Sequence, residues 1–162
     1  MFDRRPVLSR DVACEVYDDF ALKGHIGGKD ASSGYGGPAV QALLELAALA
    51  NASTVVEYGC GQAKLAELAL ARHANIASWR AVDQSPHMCL RAHKRMRPFG
   101  ARFAIEHHPS GDPAAARLGG GADRFVSTYV LDLLSEDDML ATLDLARRSL
   151  APDGRLLLAG IT

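Results

Sequence analysis

Val55-Val56-Glu57-Tyr58-Gly59-Cys60-Gly61-Gln62-Ala63 decides how this sequence is read. A β-branched run ends at a carboxylate, and the chain then turns on two glycines into the Ala/Leu-rich segment Leu65 to Arg72. Glycine lets the backbone bend sharply and lets a ligand approach bare main chain. The helix that follows has unsatisfied N–H groups at its start. A dinucleotide fingerprint places a third glycine three residues after the second. Lys64 stands there instead, so a pyrophosphate ligand is disfavoured. Glu57, two places before Gly59, suits a ligand that carries a positive amino group. The same turn also serves as plain strand-to-helix geometry, and both readings stay open on these residues alone.

Outward from this turn, strand and helix patterns alternate. Trp79 to Asp83 is a second short strand, and Ser85 with Pro86 opens a helix containing Met88 to Met96. Ala101 to Ile105 and Arg124 to Val130 read as the third and fourth strands. Ser135 with Glu136, Asp137 and Asp138 begins a helix to about Leu150, where a capping hydroxyl and negative charge suit the N-terminus. Pro152-Asp153-Gly154 predicts a turn, and Leu156 to Ala159 a fifth, fully apolar strand. Apolar strands alternating with helices predict an α/β, Rossmann-like doubly wound sheet of about five parallel strands, covered by helices on both faces. Its ligand crevice lies at the carboxyl ends of the strands. Asp83 closes the second strand, so its carboxylate emerges beside Glu57 and can accept ribose hydroxyls; the competing role is a helix N-terminal acid.

Before Pro38 the pattern differs. An amphipathic segment around Val12 to Leu22 leads into a stretch rich in Gly and Ser up to Gly37. The expected division is a leader or cap over 1–37 and a ligand-binding domain over 38–162.

The 162 residues suffice for one cored domain. A net charge of −1 offers no general attraction to nucleic acid or to an anionic membrane, so neither partner is expected. The basic run Arg91 to Arg97 reads as a solvated helix face. Cys14, Cys60 and Cys89 lack paired spacing, which argues against a disulfide framework or a zinc site and suits the reducing cytoplasm. His107-His108 with Asp112 is read as a polar loop, and no metal is expected. Cys60 is read as a small packing residue at a helix start.

These motifs, in this order, resemble class I S-adenosylmethionine-dependent methyltransferases, in the small-molecule branch that includes quinone-ring methyltransferases. Val55 to Gly61 resembles their first motif and Ala81 to Met88 their second-strand motif. Asp123 to Leu131 resembles the fourth strand and its exit, and Leu150 to Leu157 the turn and fifth strand. Val16 to Ala21 resembles the cap helices ahead of the domain. The resemblance implies methyl transfer from S-adenosylmethionine to a small-molecule acceptor. It gives Glu57 and the Gly59, Cys60 and Gly61 backbone to the methionine portion, and Asp83 to the ribose. Gln84 and Met88 would border the adenine, with His108 near the adenine amino group. Ser127, Thr128 and Tyr129 would face the sulfonium and the acceptor. Tyr17 and Tyr35 would close the site from the leader. Alkylation by a sulfonium needs orientation more than a base, so no catalytic residue is assigned.

The sequence departs from that pattern at Ala63, where the family has Gly and a methyl could crowd the cofactor carboxylate. It also ends at Thr162, before the helix and antiparallel hairpin with which the family completes its sheet. The expectation is a fragment, or a fifth-strand edge covered by a second copy or a partner chain. The alternative function is therefore a non-catalytic cofactor-binding or scaffold domain that pairs through that edge.

Overall fold

The computed structural model describes residues 7–23 and 38–160. Helix α1 (Arg10–Lys23) comes first. Helix α2 (Pro38–Leu46) follows, then strand β1 (Thr54–Tyr58), helix α3 (Lys64–Arg72) and strand β2 (Ser78–Asp83). Helix α4 (Pro86–Met96), strands β3 (Phe103–His107) and β4 (Ala122–Thr128), helix α5 (Glu136–Ser149) and strand β5 (Leu150–Ala159) complete the order.

The five strands form one parallel sheet in the order β3-β2-β1-β4-β5. β1 is central, and Val55 to Tyr58 are all buried, as a strand covered on both faces requires. Successive side chains alternate between faces. Val55 joins a core with Leu65, Ala69, Trp79 and Met96, whereas Val56 joins one with Phe125, Leu145 and Ala146. The chain runs outward from β1 to β3, then returns to β4 on the other side. That reversal opens a crevice at the carboxyl ends of β1, β2 and β4.

The helix starts follow the sequence closely. Ser85 Oγ accepts the Met88 amide at 3.0 Å with Pro86 in the first turn, and Ser135 Oγ accepts the Asp138 amide at 3.2 Å. Arg124 is buried and donates to the Ala47 carbonyl and, at 3.0 Å, to Ala48 O, so β4 tethers the end of α2.

Several strand boundaries differ from the sequence reading, most of all in β3, β4 and β5. β3 starts at Phe103 rather than Ala101, because Arg102 belongs to a 3₁₀ segment and its guanidinium bonds Ile76 O at 2.9 Å and His73 O at 2.6 Å. β4 ends at Thr128, because Tyr129 turns into the left-handed region at φ 58°. β5 starts at Leu150 and absorbs the Pro152-Asp153-Gly154 turn as a bulge. Leu150 pairs with Ala122, and the register shifts before Arg155 pairs with Arg124. A Cβ at Gly154 would lie 2.7 Å from Ala122 O, so glycine permits this approach. No described helix is long and apolar enough to cross a membrane.

Candidate functional site

The crevice is a cavity of about 180 Å³. β1 contributes Tyr58 and the turn beyond it, β2 contributes Val82 and Asp83, and β4 contributes Thr128 and the following Tyr129 and Val130. Leu133 and Leu134 continue the wall, and α1 roofs it with Arg10, Ala13 and Tyr17, preceded by Leu8. Residues 10, 13 and 17 share one helix face.

Gly59 has φ 72°, and a Cβ there would overlap Val130 Cγ2. The turn amides are already engaged: Gly59 N and Cys60 N both donate to Val82 O, at 2.9 and 3.2 Å. Gly61 N donates to Asp83 Oδ2 at 2.6 Å, and Ser85 N donates to Asp83 Oδ1 at 2.9 Å. An ionised carboxylate has about four lone-pair sites. Two backbone amides therefore fix Asp83 and leave each oxygen one accepting position, at the cavity wall. Burial raises its pKa, and these two amides oppose the rise.

Gln84 and Met88 also line the cavity, as do His108, Tyr17 and Tyr129. His108 Nε2 lies 2.9 Å from Asp112 O, so its ring is tied into its own loop. Gly111 packs against Gln84, where a Cβ would overlap the Gln84 amide oxygen.

The side chains of Glu57, Cys60 and Ser127 do not line the cavity. Glu57 is fully buried behind the cavity wall, and its Oε2 accepts Trp79 Nε1 at 2.9 Å while Oε1 has no partner. Desolvation raises its pKa to about 8, with the Trp79 hydrogen bond opposing and the Asp83 charge adding to the rise. It points with Val55 into the core because strand alternation leaves Tyr58 to face the opposite side. Cys60 is buried in the core, and burial pushes its thiol well up. Ser127 Oγ donates to Tyr58 O at 2.9 Å and is spent holding β4 to β1. Thr128, expected beside it, lines the cavity, and its buried Oγ1 has no partner. Tyr35 lies outside the described residues.

Ala63 also resolves differently from the sequence expectation. Its φ is 59°, but its methyl is buried in the core with Leu65 and Ala66 and is not part of the cavity wall.

α1 is held over the cavity at both ends. Arg10 pairs with Asp138, and with Asp112 at 3.3 Å. Asp18 accepts from Ser85 Oγ and lies 3.3 Å from His87 Nδ1. Sequence reasoning missed Arg10 and Asp138 because 128 residues separate them and no local motif links them. Tyr58 was also missed, although its place at the end of β1 was a usable signal. Its hydroxyl donates to Gly111 O at 2.8 Å.

A family profile described as a methyltransferase domain matches residues 55–154. The chain belongs to this methyltransferase domain family. The matched span of the methyltransferase domain contains the glycine turn, Asp83 and Thr128. Comparison with curated protein sequences returns no match.

Solved structures share the fold. A chain of the Haloferax volcanii complex between the Trm112 methyltransferase activator and a methyltransferase is similar with a TM-score of 0.69 and 19% identity, covering 88% of this chain and 58% of that one. The N-methyltransferase NodS of Bradyrhizobium japonicum, in complex with S-adenosyl-L-homocysteine, gives 0.66 and 22%, covering 88% and 72%. A methyltransferase of Thiobacillus denitrificans, also in complex with S-adenosyl-L-homocysteine, gives 0.62 and 16%, covering 94% and 56%. The chain thus spans little more than half of the Haloferax and Thiobacillus chains.

Proposed function

We propose that this domain binds S-adenosylmethionine in the crevice and transfers its methyl group to a small-molecule acceptor. The observation that carries this reading is Asp83, held by the Gly61 and Ser85 amides with two accepting positions left at the cavity. Those positions suit the two vicinal hydroxyls of a ribose. Gly59 gives the methionine portion a bare backbone to lie against, and Gln84 and Met88 flank the adenine. Glu57 stays behind the turn, bonded to Trp79 and outside the cavity wall, and supports the turn from the core. When bound, the cofactor supplies an electrophilic methyl carbon on a sulfonium, a leaving group that needs no acid. The chain's own contribution is orientation and exclusion of water by α1, Tyr17 and Tyr129. The three free thiols suit a cytoplasmic protein.

Calorimetry with S-adenosylmethionine and S-adenosylhomocysteine tests the reading. Binding of both in the micromolar range is expected, and no heat at millimolar ligand would reject it.

A second reading has its own observation. Leu46, Leu156 and Leu158 are exposed along a groove between α2 and the edge strand β5. A cofactor-binding scaffold that pairs through this edge fits that surface. Light scattering separates the two readings: a monodisperse 17 kDa particle counts against pairing.

A further inference from the structure

The cavity has two unlike halves. Beside β2 lie Asp83, Gln84 and Met88; beside β4 and under α1 lie Leu8, Ala13, Tyr17, Val130, Leu133 and Leu134. Among the described residues, the second half is apolar apart from the Tyr17 hydroxyl and two further features. One is the Arg10–Asp138 pair in its wall, where the guanidinium already meets two carboxylates, Asp138 and Asp112. The other is Thr128 Oγ1, which is buried and unpartnered at the cavity.

A buried hydroxyl without a partner keeps an uncompensated desolvation cost until something pairs with it. Tyr129, next in the chain, sits at φ 58°, a conformation costly for a bulky residue, and its amide is fixed to Ala159 O at 2.7 Å. The backbone therefore holds the Thr128–Tyr129 corner in one position. Among the described residues, an anionic ligand in this half finds no uncommitted guanidinium and faces Asp138 as well as Asp83. Burying such a charge without a counter-ion is strongly unfavourable.

We propose that this half of the cavity selects an uncharged, largely apolar acceptor bearing a hydroxyl, and that Thr128 Oγ1 is the hydrogen-bonding anchor that positions it. The assignment rests on the proposed cofactor reading, because Asp83 and the glycine turn must take the other half. It makes Thr128, rather than Ser127, the residue through which β4 meets the acceptor.

The test uses 2-naphthol as an uncharged probe and 2-naphthoate as its anionic counterpart. Both are titrated into the full chain by calorimetry, with and without saturating S-adenosylhomocysteine. The expected result is naphthol binding at least tenfold more tightly than naphthoate. Thr128→Val should weaken naphthol at least threefold, and Thr128→Ser, which keeps the hydroxyl, should restore it. S-adenosylhomocysteine affinity, measured on each variant, reports whether the site remains folded. Naphthoate binding as tightly as naphthol overturns the selectivity, and an unchanged Thr128→Val overturns the anchor. If S-adenosylhomocysteine binds and neither naphthalene does, the acceptor assignment is wrong. If naphthol binds selectively but S-adenosylhomocysteine does not, the cofactor reading fails and the selectivity stands.

Discussion

Trp79 Nε1 donates to Glu57 Oε2 at 2.9 Å, inside the core and two residues before the glycine turn. The pair crosses from β2 to the central strand and leaves Glu57 Oε1 without a partner. A carboxyl so placed is neutral over most of the physiological range, since its pKa is raised from 4.5 to about 8. Between those values the folded chain holds a proton that the unfolded chain has lost. Stability from this group is therefore full below about pH 4.5 and declines as pH rises toward 8. The slope is at most about 1.4 kcal/mol per pH unit. Asp83, also raised, contributes in the same direction. Urea unfolding of wild type at pH 5.5 and 8.5 should show the loss, and Glu57→Gln should flatten much of it. Equal slopes in the two proteins would place the titration elsewhere.

Asp83 is fixed by two amides, so Asp83→Asn must turn an NH₂ toward either Gly61 N–H or Ser85 N–H. The donor-to-donor contact displaces the side chain, and two ligand hydroxyls lose an ionised acceptor. Hydrogen bonds to charged groups are worth about 1.5–3 kcal/mol each. S-adenosylhomocysteine affinity is expected to drop at least tenfold by calorimetry. A change within twofold would remove Asp83 from the site.

Gly59 and Ala63 share left-handed backbone but differ in what surrounds them. Gly59→Ala meets Val130 as well as the backbone penalty, and should destabilise by more than about 1–2 kcal/mol. Val130→Ala should recover the steric part alone, read as coupling in a double-mutant cycle. Ala63→Gly relieves about 1 kcal/mol of backbone cost but loses a buried methyl of similar worth and loosens the unfolded chain. Its stability should stay within about 1 kcal/mol of wild type, with cofactor affinity unchanged. A severalfold gain in affinity would show that the methyl crowds the ligand after all.

Arg10 ties the start of α1 to Asp138 and Asp112. The pairing holds Asp138 below the usual carboxylate range. Because Arg10 is partly exposed, the pair contributes only about 0–1 kcal/mol, and salt screens it. Arg10→Met should speed hydrogen exchange in α1 by about two- to fivefold while leaving β1 and β4 protected. High salt should have the same effect on wild type and little on the variant. Identical exchange in both proteins would leave α1 anchored by its apolar face and the Asp18 contacts.

The sequence by itself determined the α/β layering, the order of elements and the ligand crevice beyond the strand ends. These follow from local causes: two glycines after a β-branched run, capping serines at 85 and 135, and the alternation of strand and helix periods. It also put Asp83 and the glycine turn at neighbouring strand ends, because β1 and β2 are adjacent and parallel. Tertiary structure decided which side chains reach the cavity. A strand points alternate residues to opposite faces, so of the expected Ser127, Thr128 and Tyr129 only the last two line the cavity, and Glu57 points inward while Tyr58 faces the cavity. Only packing could turn the Ala63 methyl into the core, since its direction depends on a left-handed φ. Only long-range contact could bring Arg10 to Asp138, because no local pattern encodes an ion pair between a leading helix and the start of α5.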